Sequence, residues 1–219
     1  MDKRDGTVRA FVFDLDGTLI DSKLDLVHSI NAMLRETKRP EQPVDLIASY
    51  VGHGAPQLIA SVLGPAAREE QRRDALEIFL RHYQEQMINV TRPYAGVVEG
   101  LRALNGRALA VLTNKPIKMT VGILDGLSMS TFFRLVYGGD SFATKKPDPG
   151  GALAILKEFG VPPAQAAMIG DSDVDIQTAR NAGMLAVGVT YGFGQHNAQT
   201  CPADIYVDSL LELMPLAAK

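Results

Sequence analysis

Val8-Arg9-Ala10-Phe11-Val12-Phe13-Asp14-Leu15-Asp16-Gly17-Thr18-Leu19 runs from an apolar strand straight into two carboxylates. The apolar positions Val8, Ala10, Phe11, Val12 and Phe13 read as a buried strand. Beyond it side chains alternate, so Asp14 and Asp16 project to one side and Leu15 to the other. Charge is costly at such a place. Two close carboxylates repel and drive a proton onto one of them unless a cation or a reaction intermediate uses both. One of the pair can attack while the other donates a proton.

Similar apolar runs recur at 108–112, 135–137, 166–169 and 185–189, most of them followed by a polar turn and a segment with helical periodicity. The alternation predicts an α/β fold, a doubly wound parallel sheet with helices on both faces. Between about 20 and 92 helical patterns dominate over a length too great for a crossover. Leu24, Val27, Ile30, Asn31 and Leu34 fit one amphipathic helix, and Leu76, Phe79, Leu80, Tyr83 and Met87 fit another. The expected organisation is a core domain from 1–19 and 93–219 with an α-helical cap domain inserted at 20–92, hinged near 20 and 92. Pro93 suits the first turn of a helix through Val97, Val98, Leu101 and Leu104, and a short helix is expected from Ser209 to Ala217.

The 219 residues can bury a sizeable core without metal or disulfide. Lys plus Arg number 22 against 25 Asp plus Glu, a formal charge of -3, so a basic nucleic-acid footprint is absent. No apolar stretch is long enough to span a bilayer, the charged start Met1-Asp2-Lys3-Arg4-Asp5 has no apolar region behind it, and Cys201 is the only cysteine. The expectation is a cytoplasmic protein, a monomer or homodimer, that binds neither nucleic acid nor membrane.

Three further groups stand at strand ends, where open α/β sheets place ligands. Thr113-Asn114-Lys115-Pro116 offers a hydroxyl, a carboxamide and a helix N-terminus that can hold phosphate oxygens, although Thr113 and Asn114 can equally cap that helix. Lys145-Lys146-Pro147-Asp148-Pro149 fixes a cation between stiff prolines. Gly170-Asp171-Ser172-Asp173-Val174-Asp175 again ends a strand in carboxylates, an oxygen-ligand cluster suited to Mg²⁺. Asp173 reads as charge at a helix N-terminus; Asp175 reads either as that or as support for the metal.

These four groups, in order, resemble the haloacid dehalogenase-like hydrolase superfamily, whose signature is D-x-D-G-T, a Thr or Ser, a Lys and an acidic loop. The helical insert lies where that family carries its smaller cap. Asp14 to Ser22, Thr113-Asn114-Lys115-Pro116, Gly138-Gly139-Asp140, Lys146-Pro147-Asp148-Pro149 and the insert loop Val51-Gly52-His53-Gly54-Ala55 are similar to the phosphoglycolate phosphatase branch. The resemblance implies a phosphatase acting on a small phosphorylated metabolite, 2-phosphoglycolate first among candidates. Asp14 would attack phosphorus to form an aspartyl-phosphate, and Asp16 would protonate the leaving alcohol and then activate water. Thr113, Asn114 and Lys146 would orient and neutralise the phosphoryl group, with Gly17 and Thr18 close to it. Mg²⁺ would be held by Asp14, the Asp16 carbonyl and Asp171, with Asp175 acting through water.

His53, between two glycines, is a substrate-contact candidate or a solvated loop residue; His28, His82 and His196 read as surface or packing. Arg35, Lys38 and Arg39 are cations the insert can offer a substrate. A sugar phosphomutase or a pyrophosphatase would use the same core, and a phosphoacceptor switch would share its aspartates, Thr and Lys without the large insert. Dehalogenase chemistry is disfavoured by the acid at Asp16.

Overall fold

The computed structural model describes residues 7–194 and 197–217, so the charged stretch 2–5 and His196 lie outside it. In chain order its strands are β1 (Ala10–Phe13), β2 (Ile20–Asp21), β3 (Arg92–Pro93), β4 (Ala108–Leu112), β5 (Leu135–Tyr137), β6 (Ala166–Gly170), β7 (Leu185–Val189) and β8 (Ile205–Val207). Its α-helices are α1 (Lys23–Glu36), α2 (Val44–Ala48), α3 (Ala55–Leu63), α4 (Glu69–Gln86), α5 (Val97–Ala103), α6 (Ile117–Gly126), α7 (Gly150–Phe159), α8 (Asp173–Ala182) and α9 (Met214–Ala217).

The main sheet runs β5-β4-β1-β6-β7-β8 with each neighbouring pair parallel. β1 lies in its interior and is buried along its whole length. Alternation divides its side chains between two cores. Phe11 and Phe13 join Leu109, Val111 and Ile169 on one face, while Ala10 and Val12 join Leu112, Ile155 and Met168 on the other. Helices α5 and α6 cover the first face through Val97, Leu101 and Ile123; α7 and α8 cover the second through Ile155, Ile176 and Ala179. The α/β doubly wound architecture therefore agrees with the sequence reading. Since every strand points the same way, the loops leaving β1, β4, β5 and β6 meet at one edge.

Helices α1 to α4 follow one another between β2 and β3, in the segment expected as an insert. Those two short strands pair antiparallel, Ile20 opposite Pro93 and Asp21 opposite Arg92, so the outgoing and returning chains run side by side. The expected helix start at Pro93 is thus corrected. Pro93 occupies a strand position, tolerated there because a two-stranded ribbon leaves its missing N–H on an outer edge. Helix α5 begins instead at Val97, after Gly96 at φ +79°. Beside this junction the buried Asp25 accepts hydrogen bonds from Val90 N, Thr91 N and Thr91 Oγ1 at 2.7–3.0 Å, fastening α1 to the return segment. The expected helix from Ser209 is a 3₁₀ turn at Leu210–Leu213 followed by α9. Leu24, assigned to the apolar stripe of α1, is 45% exposed, whereas Val27, Ile30 and Leu34 are buried.

Candidate active site

Asp14 and Asp16 leave β1 on the same side and line one cavity, while Leu15 between them is fully buried in the core. Each carboxylate has its own lysine. Lys146 Nζ, on the loop between β5 and α7, lies 2.8 Å from Asp14 Oδ1 and donates to Asp175 Oδ1 at 2.6 Å. Lys115 Nζ, on the loop between β4 and α6, donates to both oxygens of Asp16 at 2.9 Å and to Tyr83 Oη at 2.7 Å.

Asp14, Asp171 and Asp175 are buried and offer oxygens within 4.8 Å of one another. Burial pushes Asp14 up to about 6 despite Lys146, and Asp171 up to about 8, with the charges of Asp175 and Asp14 adding to the rise. Burial alone would lower Lys146, but the carboxylates of Asp14 and Asp175 outweigh it and hold its ammonium above the usual value. Three carboxylates against the Lys146 ammonium leave negative charge uncompensated. Asp14 Oδ1 is buried, with the Lys146 ammonium 2.8 Å away as its ion-pair partner. An all-oxygen donor set with excess negative charge fits a hard divalent cation. Asp175 also caps α8, accepting from Ser172 N at 3.2 Å and Ser172 Oγ at 2.6 Å, the helix-end arrangement that the sequence suggests.

Thr113 is 3% exposed and lines the cavity, its Oγ1 accepting from Lys115 N at 3.3 Å. Asn114 lines the cavity too, and its carboxamide is engaged by backbone. Its Nδ2 donates to Gly52 O at 2.9 Å and Lys146 O at 3.0 Å, and its Oδ1 accepts from Lys146 N at 3.0 Å. Both amide hydrogens are consumed by backbone, so the carboxamide clasps the insert loop to the loop bearing Lys146.

Gly17 and Thr18 also turn toward Asp171 rather than the cavity. At φ +83° a Cβ on Gly17 would stand 1.9 Å from Asp171 Oδ2, so glycine is required for this approach. The buried Thr18 Oγ1 donates to Asp171 Oδ1 at 3.2 Å. His53 is exposed, and its neighbours Gly52 and Gly54 line the cavity while it does not, an arrangement that agrees with the solvated-loop reading. Arg35 is exposed and paired with Glu41 at 2.6 Å, and neither it nor Lys38 nor Arg39 lines the cavity.

Sequence reasoning missed Lys115 and Tyr83. Lys115 sits inside the quoted Thr113 to Pro116 group, and its nearness to the strand end was the available signal. Tyr83 carries none, since it fits the stripe of an amphipathic helix. It is 1% exposed, and burial together with the charges of Asp16 and Asp25 raises its phenol well above the usual value. The backbone cover of Asp171 was equally illegible: Phe193 N and Gly194 N donate to its Oδ2 at 3.1 and 2.6 Å.

A sequence-family model described as haloacid dehalogenase-like hydrolase matches residues 11–189. The phosphoglycolate phosphatase of Pseudomonas savastanoi pv. phaseolicola (strain 1448A / Race 6) is 38% identical over 213 residues, covering 93% of this chain and 78% of its own. The phosphoglycolate phosphatase of Thiobacillus denitrificans (strain ATCC 25259 / T1) is 36% identical over 219 residues, covering 97% and 96% respectively. A crystal structure described as a predicted phosphoglycolate phosphatase from Haemophilus somnus 129pt superimposes with a TM-score of 0.90 at 32% identity, over 96% of this chain and 98% of that one. The match extends from β1 through β7, the interval that carries all four motif groups, and the chain belongs to the haloacid dehalogenase-like hydrolases.

Proposed function

We propose that this protein is a Mg²⁺-dependent phosphomonoesterase that hydrolyses 2-phosphoglycolate, with residues 20–92 as its cap domain. The observation that carries the reading is a pair of carboxylates on one cavity with separate partners: Asp14 against Lys146 and Asp16 against Lys115. Such a division suits two roles, a nucleophile and an acid–base group. The relatives named above supply the substrate.

Asp14 attacks phosphorus, the bond from phosphorus to the glycolate oxygen breaks, and Asp16 delivers its proton to that oxygen. Asp16 then takes a proton from water as the water attacks the aspartyl-phosphate, releasing phosphate and restoring Asp14. Lys146 holds Asp14 in line and neutralises charge on the phosphoryl oxygens, and the Thr113 hydroxyl orients them. Asp14, Asp171, Asp175 and the Asp16 carbonyl would hold Mg²⁺, which supplies positive charge against the phosphoryl group and the converging carboxylates. Insert residues lining the cavity exclude water from the first step. We assign the protein to the cytoplasm.

Phosphate release from a panel of phosphorylated metabolites, with Mg²⁺ and with chelator, tests the reading. Metal-dependent turnover concentrated on 2-phosphoglycolate is the expected result. Preference for pyrophosphate, or sugar-phosphate interconversion without phosphate release, would refute it.

A further inference from the structure

Beside Asp16 the cavity changes character. Leu26, Val51, Leu58, Phe79 and Met119 make an apolar enclosure, and Lys115 is the one cationic side chain among the described lining residues, since Lys146 is turned toward Asp14 and Asp175. Lys115 is 7% exposed, so its ammonium is held away from bulk water. Tyr83 stands next to it. Its oxygen accepts from Lys115 Nζ at 2.7 Å, and among the described residues its own hydroxyl hydrogen meets no acceptor. A buried hydroxyl with an unused donor is costly unless a ligand takes it. Lys115 Nζ already donates to both Asp16 oxygens and to Tyr83, so Lys115 of the sheet brings positive charge and Tyr83 of α4 brings the unused hydrogen.

We infer that Lys115 and Tyr83 form a carboxylate subsite for the leaving group, which selects the phosphate ester of a short 2-hydroxy acid. The inference rests on the proposed phosphatase reading and deepens it. In such an ester one carbon separates the oxygen that Asp16 protonates from the carboxylate. A cation in contact with Asp16 is therefore where that carboxylate must lie once the ester oxygen faces Asp16. The cavity as a whole is small, about 50 Å³, and has to hold the phosphoryl group as well, which suits a two-carbon leaving group. Because Tyr83 belongs to the insert, the carboxylate draws insert and sheet domain together. Longer or neutral leaving groups forgo that tie or fail to fit.

The test compares 2-phosphoglycolate with its carboxamide isostere, 2-phosphoglycolamide, in the parent protein and in Lys115→Met and Tyr83→Phe. The parent should prefer the carboxylate by about a hundredfold or more in kcat/KM, since a site built for a charged partner rejects an analogue lacking it. Lys115→Met should reduce that preference at least about tenfold, chiefly by raising KM for 2-phosphoglycolate, and Tyr83→Phe should reduce it in the same direction by a smaller factor. If Lys115 serves only to position Asp16, both substrates lose the same factor and an unchanged preference overturns the subsite. A parent protein with no preference for the carboxylate overturns the 2-phosphoglycolate reading as well. Tyr83→Phe keeps the test decisive should Lys115→Met not fold, because it removes a hydroxyl and leaves the packed ring against Phe79.

Discussion

Asp14, Asp171 and Asp175 meet within 4.8 Å of one another, Lys146 pairs with Asp14 and Asp175, and the charge of the three exceeds what one ammonium can balance. The protons held on them report this imbalance. The folded chain keeps a proton on Asp14 to about pH 6 and on Asp171 to about pH 8, while both carboxyls start from 3.8. Their folded values are raised, so the folded state binds more protons than the unfolded one across that interval, and metal-free stability falls as pH rises through it. Above pH 6 the remaining slope belongs to Asp171. In chelator, the melting temperature should drop by several degrees from pH 6 to pH 8, given that about 1 kcal/mol moves a domain of this size by roughly 2–4 °C. Mg²⁺ replaces the protons and should flatten the slope, and Asp171→Asn should flatten it without metal. Thermal denaturation at the two pH values checks this, and a level curve for the metal-free parent would contradict the charge account.

The helical segment between β2 and β3 is tied to the rest of the fold at a few identifiable places. β2 pairs with β3, Asp25 binds the return segment, and Asn114 joins Gly52 to Lys146. Asn114→Ala strips partners from the N–H and C=O of the buried Lys146 and from Gly52, so it should destabilise the fold by about 1–3 kcal/mol. It should also lower turnover, because Lys146 and the insert loop lose their shared support. Urea denaturation with steady-state kinetics measures both, and an unshifted midpoint would remove the clasp. Much of this level is hidden in the sequence. Apolar runs ending in Asp14, Thr113 and Asp171 are legible because burial on both faces leaves a continuous apolar signature. β8 is not, having three residues with Tyr206 at 39% exposure, and the two-residue β2 and β3 are too short to show any period. Asn114 and Lys115 look like a helix approach, and only the packing of distant segments reveals that one reaches Gly52 and the other Tyr83.

Across the whole molecule, one parallel sheet gathers groups separated by more than 150 residues, as in the bond from Thr18 to Asp171. The sheet supplies a rigid edge for the carboxylates and lysines, and the insert adds apolar walls and Tyr83. The chemistry assigned to this arrangement turns on a covalent bond between phosphorus and Asp14. The most direct measurement is the mass of the protein quenched during turnover of 2-phosphoglycolate, followed by mapping of the labelled peptide. One phosphoryl group on the peptide containing Asp14, absent from Asp14→Asn together with turnover, is the predicted result. Full turnover by Asp14→Asn, or a phosphoryl group carried by another residue, would contradict the account.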